Sequence, residues 1–367
     1  MIENCFVKGR NVETLIGLTL VKNAIVRNCK GTSLDPTILN KPRPLFVQAT
    51  WAQNIIIENN EMENTRGMSF IDKNKSAAGY AGGDYRSLRV RFNKAKNLNG
   101  LRSDGEGDLN AIRGTASFVA MLSLQEAAVE VSWNESVMEP FQGAGEDLIT
   151  SYGSKGTAAN PILIHNNFID GNYSKDPVRD NPTGTAIMLG DLNTATLQPQ
   201  HNPATSPGYV WAYDNQLIRV HSGIAISSGN NNKVFRNRVV ISAILPDGRD
   251  MRDLHGGTII WDYYGWEVEQ PTRPPSTTTS FTTIWCSCGV PTGDPAIRYF
   301  ALRRRLIVSA RHLPAPTTAL RTPGGTTVLS TTALLSLPCP SVLPGPMKTP
   351  NTLFGERSNA RRGSESE

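Results

Sequence analysis

Short apolar segments that end in asparagine recur along the first two thirds of the chain. They occupy residues 23–28, 54–60, 89–93, 129–134, 162–167, 210–215 and 233–237, and their last asparagines are 32, 33, 41, 33, 48 and 22 residues apart. Each segment holds about four to six residues of β-branched and aromatic character, which is typical of a strand and too short for a helix. The pattern predicts one strand per repeat, with insertions of variable length between repeats.

A second series of apolar segments lies between the first ones, at residues 147–151, 185–191, 223–228 and 257–262. Strands this short cannot bury an apolar face alone, so stacking successive copies is the economical way to build a core. Asparagine tolerates left-handed backbone, and stacked asparagine side chains can hydrogen-bond from one turn to the next. Two alternating columns of strands predict an all-β coil of parallel strands, a solenoid, with a sandwich as the structural alternative.

The most specific motifs lie between Val129 and Asp191. They read Ser132-Trp-Asn-Glu135, Glu139-Pro140, Gly145-Glu-Asp-Leu-Ile149, Ser154-Lys-Gly-Thr157, Pro161-Ile-Leu-Ile-His-Asn-Asn167 and Thr183-Gly-Thr-Ala-Ile-Met-Leu-Gly-Asp191. Here the chain resembles the pectin-lyase-like superfamily of right-handed parallel β-helices, and within it uncharacterised secreted bacterial β-helix proteins. The superfamily resemblance covers roughly residues 1–265. That superfamily mixes polysaccharide-active enzymes with non-catalytic surface proteins, so the fold alone does not give the function.

The composition changes near Gln270. From residue 271 onward there are 11 Lys or Arg against 4 Asp or Glu, and 13 of the 24 prolines. We therefore expect a β-helix over residues 1–270 and a Pro/Thr/Ser/Arg-rich tail over 271–367, either disordered or an artefact of the gene model. The first residues enter directly on an apparent strand without a cap, so we expect the β-helix to be truncated at its N-terminus, with its export signal lost.

Charge and hydropathy narrow the range of partners. The formal net charge of +5 belongs to the tail, and its Arg303-Arg-Arg305 run has no aromatic pattern beside it, which argues against nucleic acid. No apolar run is long enough to span a bilayer, which argues against a membrane. We expect an extracellular monomer whose partner is a polysaccharide.

Charged residues flank one segment of the second series. Glu146 and Asp147 precede it, and Lys155 follows in the next corner. The resemblance implies lyase chemistry, in which calcium is held by Asp or Glu and a Lys or Arg is the base. Lys155 could then abstract a proton from a uronate ring, Asp147 could bind calcium, and Glu146 could bind substrate. The alternative is that these carboxylates only cap turns.

Aligning the second series puts Asp191, Ser228 and Asp262 at equivalent positions on successive turns. Neighbouring parallel strands lie about 4.8 Å apart, so Asp191 and Asp262 would stand roughly 10 Å apart on one face. We take both as candidate catalytic residues together with Lys155. Tyr152 and Trp261 could offer flat apolar faces to sugar rings. The alternative is again that the aspartates cap corners.

The leading hypothesis is an extracellular β-helix that binds or cleaves a polysaccharide, with lyase-type elimination on an acidic polysaccharide as the favoured chemistry. Glycoside hydrolysis is less favoured. The rival is a non-catalytic, adhesin-like solenoid that only binds carbohydrate. A second acidic run, Ser103-Asp-Gly-Glu-Gly-Asp108, has carboxylates at alternate positions that could converge on calcium, although a solvated acidic turn is the favoured interpretation.

Overall fold

A computed structural model of the chain describes residues 1–72, 87–125, 127–181, 184–190, 207–252 and 256–260. Their strands form three eight-stranded sheets that the chain visits in turn, and a separate hairpin. Sheet A contains β1 Ile2–Glu3, β4 Ile25–Arg27, β7 Ile55–Glu58, β10 Ser87–Arg91, β15 Ala128–Ser132, β18 Ile162–His165, β21 Val210–Tyr213 and β24 Lys233–Phe235.

The other two sheets have the same number of strands. Sheet B contains β2 Phe6–Gly9, β5 Lys30–Ser33, β8 Glu61–Glu63, β11 Lys94–Lys96, β16 Glu135–Val137, β19 Phe168–Asn172, β22 Gln216–Val220 and β25 Arg238–Val240. Sheet C contains β3 Thr14–Thr19, β6 Leu45–Thr50, β9 Gly67–Ile71, β14 Ser117–Leu122, β17 Ile149–Thr150, β20 Ile187–Leu189, β23 Ser222–Ile226 and β26 Gly256–Ile260. The hairpin pairs β12 Leu101–Ser103 with β13 Leu109–Arg113 in antiparallel fashion.

Each turn of the coil, or rung, takes one strand from sheet A, one from sheet B and one from sheet C. Strands of neighbouring rungs pair in parallel and in register, so that Ile57 aligns with Val90 and Val90 with Val131. Parallel pairing in all three sheets confirms the predicted parallel β-helix and excludes the sandwich, which needs antiparallel hairpins.

The core lies inside the coil, where alternate side chains of each strand point inward. One inward column of sheet A is fully buried along consecutive rungs. It contains Val26, Ile57, Val90, Val131, Ile164, Ala212 and Val234. A matching column of sheet C runs through Ile16, Val47, Met68, Val119, Ile149, Ile187 and Ile224. Burial of such columns is what a single short strand could not achieve, because its inward side chains need neighbours above and below.

The recurrent asparagines form a ladder inside the corner between sheets A and B. Its members are Asn60, Asn93, Asn134, Asn167, Asn215 and Asn237. The side-chain amide of each of the first five donates to Oδ1 of the next at 2.9–3.0 Å. The sequence pattern placed Asn28 first in this series, and that placement is wrong by one residue. Asn28 has a φ of 54° and is the left-handed residue before the ladder position, which Cys29 occupies.

Two columns of strands were expected and three exist. The strands of sheet B begin directly after each ladder position. Three of them, β8, β11 and β16, escape the apolar pattern because they bury a single side chain between two outward ones. In β8, Met62 is buried between Glu61 and Glu63. A three-residue segment with charged ends does not stand out from a polar turn in the sequence.

Candidate functional site

The corner between sheets A and B has the same length in every rung. Two residues connect the sheets each time: Asn4-Cys5, Asn28-Cys29, Asn59-Asn60, Phe92-Asn93, Trp133-Asn134, Asn166-Asn167, Asp214-Asn215 and Arg236-Asn237. The first residue of each pair has a φ between 53° and 59°. The second occupies the ladder position, so this corner has no room for insertions.

The connections that border sheet C vary widely in length. Those that enter sheet C from sheet B include residues 34–44, 97–116, 138–148, 173–186 and 241–255, and those that leave it include 72–86, 151–161 and 190–209. In solenoids, insertions that vary between repeats map to loops on one face, and this is often the binding face. The outer surface of sheet C, called the floor below, therefore lies between the two borders at which the length of the connections varies.

One column of outward side chains on sheet C is in register through all eight strands, and none of its members carries a formal charge. The column contains Gly17, Gln48, Ser69, Ala120, Thr150, Met188, Ala225 and Ile259. Ser69 and Thr150 are each only 6% exposed. The Thr150 Oγ1 atom is buried and makes no hydrogen bond within the described part of the chain. The floor is thus uncharged along this column, with scattered hydroxyl and amide groups, and Met188 and Ala225 are buried as well.

Sheets A and B differ from sheet C in their outward charges. On sheet A, Arg27 pairs with Glu3 at 2.7 Å and Arg91 pairs with Glu58 at 3.1 Å. On sheet B, the outward column alternates in sign through Lys30, Glu61, Lys94 and Glu135, with ion pairs at 3.3 and 3.4 Å. Opposite charges on neighbouring rungs partly neutralise one another, and exposed pairs of this kind add little stability. These faces are solvated surfaces.

Four of the proposed site residues lie at the two ends of β17. Glu146 and Asp147 are in the connection that enters this strand, and Tyr152 and Lys155 are in the connection that leaves it. All four are partly exposed. The structure therefore places them on one rung but at opposite borders of the sheet C floor, in two groups rather than one cluster.

Asp147 has a structural role that the sequence did not reveal. Its Oδ1 atom accepts hydrogen bonds from the backbone N–H of Thr185 at 2.7 Å and from Thr185 Oγ1 at 3.0 Å. Because Thr185 stands at the entrance to β20, this contact ties two neighbouring rungs together. This oxygen therefore has a role in joining rungs, and calcium binding by Asp147 stays a prediction.

Lys155 lies in a short parallel stack just beyond sheet C. Its backbone aligns with Gln125 on one side and with Gly208 on the other, and its N–H donates to the carbonyl oxygen of Leu124 at 2.8 Å. The stack fixes the backbone of Lys155 beside the floor.

The remaining proposed residues, Asp191, Trp261 and Asp262, lie outside the described residues, as does the tail over 271–367. The strands that precede these residues are in the register that the predicted alignment of Asp191, Ser228 and Asp262 requires. Leu189 aligns with Ile226, and Ile226 aligns with Ile260. Ser228, the middle member of the predicted series, follows β23 by two residues, as Asp191 follows β20 and Asp262 follows β26.

Metal coordination is not apparent in the part of the chain that the structure describes, where no group of three or more His, Cys, Asp or Glu could hold an ion. The acidic run at 103–108 closes the turn of the β12–β13 hairpin. Asp104 Oδ1 accepts the N–H groups of Glu106 at 2.7 Å and Asp108 at 3.1 Å. These backbone hydrogen bonds lower the pKa of Asp104. Calcium stays a prediction that rests on Asp147.

An aromatic stack on sheet A is a feature that sequence analysis missed. The rings of His165 and Tyr213 lie 4.8 Å apart and those of Tyr213 and Phe235 lie 5.0 Å apart, each pair within 8° of parallel. Beside them, Lys233 Nζ sits 4.1 Å from the ring centre of Trp211. The sequence does hold a signal for this stack, because His165, Tyr213 and Phe235 each stand two residues before a ladder asparagine. These rings cover one another, so they favour rung stacking over sugar binding.

Comparison of the chain with protein-family models, with curated proteins and with solved structures finds no match. Among the described residues, no helix has the length and hydropathy needed to cross a membrane.

Proposed function

We propose that the outer face of sheet C binds a polysaccharide chain along the axis of the coil. The observation that carries this proposal is the distribution of insertions: all of the length variation borders sheet C, and the corner between sheets A and B is constant. With strands about 4.8 Å apart, eight strands give a floor about 34 Å long. A floor of this length suits an extended chain of sugars. Its hydroxyl and amide groups could bind sugar hydroxyls, and Lys155 at its border could meet the charge of a uronate carboxylate.

The proposed chemistry is lyase-type elimination on an acidic polysaccharide, outside the cell. Lys155, as the neutral amine, would take the proton from the carbon beside the uronate carboxylate. The electron pair left there would form a carbon–carbon double bond as the glycosidic oxygen leaves and takes a proton from water. Asp191 and Asp262 would assist this step, Glu146, Tyr152 and Trp261 would hold the sugar, and Asp147 would bind calcium. Membership of the pectin-lyase-like superfamily, with its right-handed coil, is part of this proposal.

A non-catalytic, adhesin-like binding module is the second candidate. Two observations favour it. Asp147 Oδ1 already accepts two hydrogen bonds from Thr185, and the described residues hold no group of three or more His, Cys, Asp or Glu that could bind a metal ion. This candidate keeps the binding face on sheet C and removes only the reaction.

The full chain should be incubated with a panel of acidic and neutral polysaccharides, with and without a calcium chelator, while binding and ultraviolet absorbance are recorded. Elimination creates an unsaturated sugar end and raises the absorbance, and chelation should stop that rise. Lys155→Ala should abolish the rise and preserve binding, whereas Lys94→Ala, on the charged face of sheet B, should change neither. Asp191→Asn and Asp262→Asn should each lower turnover in a folded protein.

Binding without an absorbance rise would support the binding module. Absence of binding to every member of the panel would contradict both candidates.

A further inference from the structure

The asparagine ladder stops before it reaches the first two rungs. At each ladder step an Oδ1 atom accepts the backbone N–H of the preceding rung, as Asn60 Oδ1 does for Cys29 at 2.9 Å. Cys29 holds the ladder position of the second rung and Cys5 that of the first. A cysteine side chain has no oxygen with which to continue the series, so the first rung is joined to the second without an amide ladder bond.

Cys5 and Cys29 are nevertheless aligned with each other. The residues on either side of them are in register, since Glu3 aligns with Arg27 and Phe6 with Lys30. The N–H of Lys30 donates to the carbonyl oxygen of Cys5 at 2.8 Å. Equivalent residues on neighbouring rungs lie about 4.8 Å apart. A disulfide accommodates Cα atoms separated by about 4.4–6.8 Å.

The two cysteine side chains also point in the same direction relative to their own strands. Cys5 Sγ lies 3.2 Å from the carbonyl oxygen of Glu3, and Cys29 Sγ lies 3.3 Å from that of Arg27. Each contact joins a thiol to the carbonyl two residues before it. Cys29 Sγ is also 3.8 Å from the carbonyl oxygen of Ile2 on the first rung. The side chains therefore lie side by side and do not point apart, which is one condition for a bond between their sulfur atoms.

The two sulfur atoms differ in access to solvent. Cys5 is exposed, whereas Cys29 is 2% exposed. Burial raises the pKa of the Cys29 thiol. Because the thiolate is the attacking species, Cys5 meets a dissolved oxidant first and Cys29 reacts second.

We propose that Cys5 and Cys29 form a disulfide that fastens the first rung to the second in place of the missing ladder bond. The co-reactant is a small-molecule disulfide such as glutathione disulfide. The Cys5 thiolate attacks one of its sulfur atoms, forms a mixed disulfide and releases one glutathione thiolate. The Cys29 thiolate then attacks Cys5 Sγ and releases the second. Two protein thiols lose two protons and two electrons, and one glutathione disulfide is reduced to two glutathione molecules.

The test uses the full chain with Cys286, Cys288 and Cys339 changed to Ser, so that Cys5 and Cys29 are its only thiols. The protein is equilibrated with glutathione buffers of increasing oxidised fraction. One series is folded, and a second is unfolded in concentrated urea. Each sample is quenched with acid and its peptides are mapped by mass spectrometry. Cleavage after Lys and Arg separates residues 1–8 from residues 28–30, so a linked pair of these peptides reports the bond. We expect the folded chain to form the bond at a lower oxidised fraction than the unfolded chain.

Hydrogen exchange gives a second measurement. The bond should slow amide exchange in β2, and the Cys5→Ser variant should show no such change on oxidation. A folded chain in which Cys5 stays a glutathione adduct, or which needs the same or a higher oxidised fraction than the unfolded chain, would overturn the proposal. Cys29→Asn is the matched variant, because an amide at that position should protect β2 without any oxidant.

Discussion

Asn167 donates a hydrogen bond from Nδ2 to Oδ1 of Asn215 at 2.9 Å, although 48 positions separate the two residues in the chain. Two long connections lie between these residues, at 173–186 and at 190–209. Neither changes the hydrogen-bond distance of the ladder. The solenoid therefore absorbs its length variation at the borders of sheet C and keeps one corner constant. That division between a fixed corner and variable borders underlies both the fold and the proposed site.

Replacing Asn167 by Leu should destabilise the fold by about 1–3 kcal/mol, because buried partners would lose their hydrogen bonds. Asn167 is 1% exposed, accepts the backbone N–H of Asn134 at 3.1 Å and donates to the carbonyl oxygen of Val131 at 2.9 Å. Urea unfolding should show the loss. Asn160→Leu, at an exposed position, is the control and should have little effect. Equal stability of the two variants would mean that the ladder does not stabilise the coil.

Gly67→Ala should be strongly destabilising. Gly67 has a φ of +83°, and a Cβ atom there would lie 2.0 Å from the carbonyl oxygen of Ser117 on the next rung. Gly107→Ala is the matched control, because Gly107 has a φ of +104° and a Cβ atom there would have no other atom within 4 Å. Left-handed backbone alone costs about 1–2 kcal/mol, so any loss in Gly67→Ala beyond that of Gly107→Ala measures the contact between rungs. Equal melting temperatures for the two variants would contradict the close approach.

Arg236→Gln should raise the pKa of Asp214. The hydrogen bond from Arg236 holds that pKa below its ordinary value, and the contacts to the two carboxylate oxygens are 2.8 and 2.6 Å long. Because the folded pKa lies below the unfolded one, the stabilisation is present above about pH 4 and is lost as the pH falls through the folded pKa. The parent should therefore lose more stability than the variant on acidification.

Carbon NMR titration of the Asp214 carboxyl group would measure the pKa directly, and melting curves from about pH 6 to pH 2 would measure the stability. Arg236 also lies 5.0 Å from the ring centre of Phe235, so the variant should carry an additional loss that does not depend on pH. Parallel pH profiles for parent and variant would contradict the assignment.

The strands of sheet A were predictable because they combine an apolar run with a regular asparagine at the end. In sheet C, the predicted second series overlaps only β17, β20, β23 and β26, and the other four strands were not predicted. The alternation in Ile162–His165 and the asparagine that follows it are visible in any window of the sequence. Sheet B was not predictable, since a strand such as Glu61–Glu63 shows a single apolar residue between charged ones. Its strands owe their conformation to the neighbouring rungs, which a local pattern cannot show.

The proposed site was only partly predictable. Position along the repeat put Glu146 and Asp147 before a strand and Lys155 after it, and β17 is that strand. Their role in a site stays a prediction. The bond between Asp147 and Thr185 joins residues 38 positions apart, so it depends on which strands stack, and no spacing rule reveals it. The uncharged floor of sheet C also becomes visible only when eight distant strands are in register.

The most direct test of the central claim is the affinity of two tryptophan variants for the polysaccharide that the parent chain binds best. Ala120 points outward in the middle of sheet C, and Ile56 points outward on sheet A, and both are partly exposed. Ala120→Trp would block the floor, and Ile56→Trp adds the same ring elsewhere. With both variants shown to be folded by circular dichroism, we expect Ala120→Trp to weaken binding at least about tenfold, which corresponds to about 1.4 kcal/mol, and Ile56→Trp to bind as the parent does. Unchanged binding by Ala120→Trp, or equal loss in both variants, would contradict the assignment of the binding face to sheet C.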